Sequence, residues 1–167
     1  KYNSPESMAR ITEPKYNIHP WTSIDETPFE IIIENVSNKL KELSGFDHIF
    51  FGSQSGAMGE YAGLTTIRNY LDTHNLEHKN IILLPDSCHG TNSASCNLAG
   101  FDIINLKTNK DGDIDLEEFD DIIINHGENI AGAMITFPST LGIFEDNIKY
   151  IVDSIHDNKG LVYMDGA

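Results

Sequence analysis

Basic residues are scarce in this 167-residue chain: eleven Lys and Arg stand against twenty-six Asp and Glu, a formal charge of −15. A field of that sign repels nucleic acid and anionic membrane, so neither is expected as a partner. Any anionic ligand must then be held by backbone amides or by locally placed donors. Cysteine is nearly absent as well. Cys88 and Cys96 stand eight residues apart where a loop enters a helix, which suits neither a disulfide framework nor a zinc site and predicts two reduced thiols. There is no run of eighteen apolar residues, and the opening KYNSPESMARITEPKYNIHP lacks the apolar stretch of a secretion signal. A soluble intracellular protein is the expectation.

What is present suffices for one globular core, with 40% hydrophobic and 9% aromatic residues. Residues 1–23 carry Pro5, Pro14 and Pro20 among Asn, Ser and Thr and read as an extended N-terminal arm, leaving 24–167 for the ordered domain. Thr27-Pro28-Phe29-Glu30 supplies a cap, a first-turn proline and a capping-box glutamate. Phe29, Ile32, Ile33, Val36, Leu40 and Leu43 then recur at helical spacing until Gly45 ends the helix.

Beyond Gly45 two kinds of segment alternate. Short apolar runs occur at Ile49–Phe51, Ile81–Leu84, Ile103–Leu106, Met134–Phe137 and Leu161–Met164. Between most of them lie predicted helices: Ala57 to Leu71, a short one after Thr91, Leu116 to His126 capped by Asp115 with Glu118 three residues on, and Glu145 to Asn158. Continuous apolar strands separated by helices predict an α/β fold, a mostly parallel sheet with helices on both faces.

Ligands of such a sheet bind beyond the carboxyl ends of its strands, so the residues after each run carry the information. After Phe51 comes Gly52-Ser53-Gln54-Ser55-Gly56-Ala57-Met58-Gly59-Glu60, a Gly- and Ser-rich turn entering a helix. That arrangement aims free amides and a helix dipole at a phosphate. Taken alone, it is equally an ordinary tight strand-to-helix turn, and it fits neither the P-loop nor the dinucleotide pattern. After Leu84 come Cys88, His89, Gly90 and Thr91, and after Phe137 come Ser139 and Thr140. A lone histidine is more often structural; here it has hydroxyl company at the same rim. Asp165 emerges from the last apolar run, where a carboxylate is either paired or functional. A phosphorylated aromatic cofactor with a ring nitrogen would use all of these groups.

At these residues the chain resembles the glycine-decarboxylating P-protein family, glycine dehydrogenase (decarboxylating) of the glycine cleavage system, in its C-terminal half or second subunit. SGAMGEYAGL at 55–64, HGTNSAS at 89–95, TFPSTLGIFE at 136–145 and GLVYMDGA at 160–167 look like its motifs, with NIHPW at 17–21 as the lead-in. The resemblance implies a partial large domain of the aspartate-aminotransferase-like fold that depends on pyridoxal 5′-phosphate (PLP). It implies that Ser55, Gly56 and Ala57 meet the cofactor phosphate, that His89 stacks on the pyridine ring and that Asp165 pairs with the ring nitrogen, with Thr91 and Thr140 as further contacts. The implied reaction decarboxylates glycine and passes the aminomethyl group to the lipoyl arm of the H-protein. The other P-protein half or subunit would be a partner in an oligomer, in bacterial cytoplasm or the mitochondrial matrix. Other enzymes of the fold, an amino-acid decarboxylase or a desulfurase, and a non-catalytic assembly module are the alternatives; HGTNSAS favours the P-protein.

Two features are set aside. Asn109 to Glu118 resembles a calcium loop, but its register puts Lys107 at the first ligand position and a strand where the entering helix should be. His48, His74, His78, His126 and His156 lack mutual metal-ligand spacing, so no metal is expected. A Schiff-base enzyme also needs a lysine at the ligand rim. None is expected here, since Lys159 precedes its strand, and the chain is expected to be an inactive piece of a longer polypeptide whose lysine lies past Ala167.

Overall fold

The computed structural model describes residues 28–166 and Pro5, with side chains from Glu30 onward. The predicted arm at 1–23, the Thr27 cap, the Phe29 side chain and Ala167 lie outside the described residues. The chain divides between Phe51 and Gly52 into two compact units.

In the first unit, α1 spans Pro28–Ser44. It stops where predicted: Gly45 takes φ +75°, and its amide donates to the Lys41 carbonyl at 2.9 Å. Glycine adopts that left-handed conformation without steric cost. Ile32, Val36, Leu40 and Leu43, which carried the helical periodicity, are exposed. The predicted strand at Ile49–Phe51 does not form; these residues are irregular, and Phe50 is 70% exposed. A strand persists only where its amides and carbonyls find a ladder, and an apolar run does not supply one by itself.

The second unit runs α2 (Gly56–Thr73), β1 (Ile81–Pro85), α3 (Asn92–Leu98), β2 (Asp102–Leu106), α4 (Leu116–His126), a 3-10 turn (Gly127–Asn129), β3 (Ile130–Thr136), α5 (Ile148–Asp157) and β4 (Leu161–Asp165). The four strands form one contiguous parallel sheet in the order β2-β1-β3-β4. β3 begins four residues earlier than predicted, at Ile130, and α5 begins at Ile148 rather than Glu145. Strand alternation divides the core. Ile82, Leu84 and Met134 pack against Leu64, Ile67 and Leu71 of α2 and Cys96 of α3. Leu83, Ala133 and Ile135 pack on the opposite face against Phe119 of α4 and Ile151 and Ile155 of α5. Helices therefore cover both faces, and truncating a fully buried anchor such as Phe119 would cost about 3–5 kcal/mol.

One glycine decides how closely the strands that carry the polar residues approach. A Cβ on Gly132 would stand 2.0 Å from the Leu161 carbonyl oxygen, so no larger residue fits the β3–β4 ladder as built. That ladder sets Thr136 opposite Asp165.

Candidate functional site

Thr136 and Asp165 end their strands at the carboxyl rim, and strand alternation turns both toward the face covered by α2 and α3. The segment after β1 crosses this rim. His89 is tied to it by its own backbone, its amide donating to Thr136 Oγ1 at 2.7 Å. Thr136 in turn donates to Asn92 Oδ1 at 3.3 Å, and Asn92 Nδ2 donates to Asp165 Oδ2 at 3.0 Å. Asn92 is fully buried and Asp165 is 7% exposed. A carboxylate this buried is tolerable only when hydrogen-bonded, and the amide of Asn92 supplies that bond.

A second buried acid joins from α2. Glu60 is 4% exposed; its Oε1 accepts from the Thr91 hydroxyl and its Oε2 from the Ser95 hydroxyl, each at 2.5 Å. His89 Nδ1 lies 2.8 Å from Thr91 Oγ1 and 3.9 Å from Glu60 Oε1, with its side chain 45% exposed. One ligand atom from each of Glu60, His89 and Asp165 lies within 4.8 Å of the others. This is metal-ligand spacing, but three of the carboxylate oxygens already accept hydrogen bonds from Thr91, Ser95 and Asn92. The cluster is organised by protein donors. Its negative field, after burial, helps push the Tyr163 phenol above its ordinary pKa.

The turn before α2 behaves as a helix N-terminus should. Ser55 is the N-cap in extended backbone, and its Oγ accepts from the Met58 amide at 3.3 Å. The Gly56 and Ala57 amides belong to the first turn, which lacks intrahelical acceptors. Glu60 follows Ser55 by five residues, about 7.5 Å along a helix axis. The same helix thus offers amides at its tip and a carboxylate at the His89–Asp165 cluster. Gly63 lets it seat, since a Cβ there would come within 2.3 Å of the Tyr163 ring.

Thr140 reaches the segment after β1 from β3. Both its amide and its hydroxyl donate to the Ser87 carbonyl, at 3.0 and 2.9 Å. Of the residues predicted for the site, His89, Thr91 and Asp165 share one network with Glu60. Ser55, Gly56 and Ala57 are linked to it through α2, and Thr140 through Ser87. Sequence reasoning passed over Glu60, Asn92, Ser95 and Thr136. Glu60 is the sole acid in the first five residues of an otherwise neutral helix start; Asn92 and Ser95 lie inside HGTNSAS.

The lysine expectation needs one amendment. Lys107 follows β2 directly, at the carboxyl side, but β2 is the edge far from β4 and its ammonium is 2.8 Å from Glu118 Oε1. That bond raises the Lys107 pKa and lowers that of Glu118. Glu118 also accepts from the Lys107 amide, instead of returning to the Asp115 amide as a capping box would. The segment that resembles a calcium loop is therefore closed by an internal ion pair, while Asn109 Oδ1 accepts from the Asp111 and Asp113 amides.

No family model matches the chain. Across its whole length it is 43% identical to the mitochondrial glycine dehydrogenase (decarboxylating) of Homo sapiens, of which it spans 17%. Its fold is shared with the crystal structure of a glycine decarboxylase (P-protein) in inhibitor-bound form, at TM-score 0.67 and 15% identity over 96% of this chain and 35% of that one. The mouse CSAD apo structure gives TM-score 0.69 and 19% identity over 96% of this chain and 37% of that one. Its parallel α/β sheet thus has the fold of these two solved enzymes, and by sequence the whole chain is similar to glycine dehydrogenase (decarboxylating), of which it spans about 17%.

Proposed function

We propose that this chain provides two walls of a PLP site in an enzyme that decarboxylates glycine and passes the aminomethyl group to the lipoyl arm of the H-protein. The observation that carries the reading is the convergence of His89 and the buried Asp165 at the carboxyl rim, on the face where α2 presents its N-terminal turns. The donor set fits the cofactor at both ends. Amides of Gly56 and Ala57 with the Ser55 hydroxyl suit a phosphate dianion in a protein of net charge −15. The buried carboxylate of Asp165 suits a protonated ring nitrogen.

In this reading Asp165 holds the proton on that nitrogen, because a neighbouring anion favours the charged form. His89 covers one face of the ring and keeps water from it. Thr91 and Thr140 line the site beside it. The cofactor, when bound, supplies the electron sink for the pair left behind as carbon dioxide departs. The partners are glycine, the lipoylated H-protein and the remaining half or subunit of the P-protein, assembled as an oligomer in a soluble compartment. Among the described residues no helix is long and apolar enough to cross a membrane.

A second reading, another decarboxylase of the same fold, has one observation in its favour: the likeness to mouse CSAD is as close in shape as that to the P-protein. Sequence identity of 43% to glycine dehydrogenase supports the first. The test is made in the complete enzyme containing this segment. Asp165→Ala should weaken cofactor binding and glycine-dependent carbon dioxide exchange together. Undiminished exchange would remove Asp165 from its role, and exchange with a different amino acid in place of glycine would favour the second reading.

A further inference from the structure

The network around His89 contains one hydrogen too few to leave the imidazole free in its choice of tautomer. Thr91 Oγ1 stands between two groups to which it could donate, 2.5 Å from Glu60 Oε1 and 2.8 Å from His89 Nδ1. A hydroxyl has a single hydrogen to donate. A carboxylate can only accept, and Glu60 is the closer of the two partners, so the Thr91 hydrogen goes to it. The contact to His89 is then a hydrogen bond only if Nδ1 is the donor. The Thr91 amide, 3.4 Å from Nδ1, makes a longer and weaker contact that would require the opposite tautomer. Ser95 holds the other carboxylate oxygen at 2.5 Å, so Glu60 cannot turn away.

We infer that Glu60 is a positioning residue that acts on His89 through Thr91, holding the imidazole in the Nδ1–H tautomer with Nε2 presenting its lone pair. Among the described residues Nε2 has no hydrogen-bond partner, so it is the ring atom left to act on a ligand. The inference rests on the proposed function only in treating His89 as the residue that faces the cofactor. The network itself belongs to the protein. A ring held this way keeps one orientation and one acceptor edge toward the ligand, where an untethered histidine would sample two tautomers and several rotamers.

The test reads the tautomer directly, without cofactor, from 15N-labelled imidazole resonances in the complete protein, with His89→Gln identifying the signals. In the wild type the Nδ1 resonance should be of the protonated kind and the Nε2 resonance of the lone-pair kind. Glu60→Met keeps side-chain length and removes the acceptor, which frees the Thr91 hydrogen for Nδ1, so the two resonances should exchange character. Thr91→Ser should keep the wild-type pattern and Thr91→Val should lose it; this pair decides the matter if Glu60→Met does not fold. A wild type already in the Nε2–H form, or a pattern unchanged in both Glu60→Met and Thr91→Val, would overturn the inference. Because no cofactor is present, failure of the enzyme to bind PLP would count against the proposed function and leave this result standing.

Discussion

The two ends of the sheet each bury a charge, and they neutralise it in different ways. At the amino end Lys79 is 3% exposed, and its ammonium donates to the carbonyls of Gly127, Glu128 and Ile130 at 3.0, 2.9 and 3.3 Å. Its three hydrogens thus match three fixed backbone acceptors. At the carboxyl end Asp165 and Glu60 are held instead by side-chain donors, those of Asn92, Thr91 and Ser95. Backbone acceptors make Lys79 a fastener between the 3-10 turn and β3. Side-chain donors tie the carboxylates into one network with His89, whose members depend on one another for their positions.

The sharpest way to break this contrast is to remove each charge and ask whether binding or folding suffers. Asp165→Ala should weaken cofactor binding in the complete enzyme by about 30-fold or more, the scale of ~2–5 kcal/mol for losing one partner of a buried charge pair. Its thermal unfolding should move far less. Equal losses in both would erase the distinction.

Lys79→Met should do the reverse, costing about 1–3 kcal/mol of stability through carbonyls left without donors, with cofactor affinity unchanged. Calorimetry across alkaline pH adds a sign. Burial lowers the Lys79 pKa, with Lys159 adding to the shift and Glu128 opposing it. The folded state therefore binds fewer protons, and stability relative to Lys79→Met should grow as pH climbs through the lowered value toward the unfolded value of about 10.4. A difference that shrinks over that window would contradict the buried ammonium.

The smallest effect belongs to a third charge, at the outer edge of the carboxyl rim. The Lys107–Glu118 pair is exposed on the lysine side, so Glu118→Gln should shift the melting temperature least of the three. Lys107 lowers the Glu118 pKa, so the contribution is present above the ordinary glutamate range and lost as pH falls through the lowered value. The difference between wild type and variant should also fade in molar salt. A shift larger than that of Lys79→Met would show that this loop matters more to the fold than its exposure suggests.

The sheet was legible because its central strands, β1 and β3, are buried on both faces and its edge strands, β2 and β4, are apolar enough to read as runs too; the runs at 81, 103, 134 and 161 all became strands. The first four residues of β3 escaped notice because Ile130-Ala131-Gly132-Ala133 is mostly small, and smallness there serves the close approach to Leu161. Ile49–Phe51 misled for the converse reason: the pattern was apolar, but pairing is a property of neighbours and not of the run. At the rim, the residues that follow strands were singled out by position. Glu60 was not, since nothing local distinguishes a helical glutamate facing solvent from one facing two hydroxyls. Only the packing of α2 on α3 makes that choice.

Thr140 sits in a loop that is not free to move by itself. The Glu145 carboxylate accepts from the Ile114 amide at 2.7 Å and the Asn147 amide at 3.1 Å, which stitches the stretch after β3 to the one before α4. Gly112, at φ +91°, lies so close to Ile143 that an added Cβ would come within 2.2 Å of its Cδ1. The two loops are interlocked like meshed gear teeth. A displacement of Thr140 by an incoming ligand would be transmitted past Ile143 to residues 109–114 on the β2 side, so a spectroscopic label near Asp111, remote from His89 in sequence, would report events at the opposite flank of the rim.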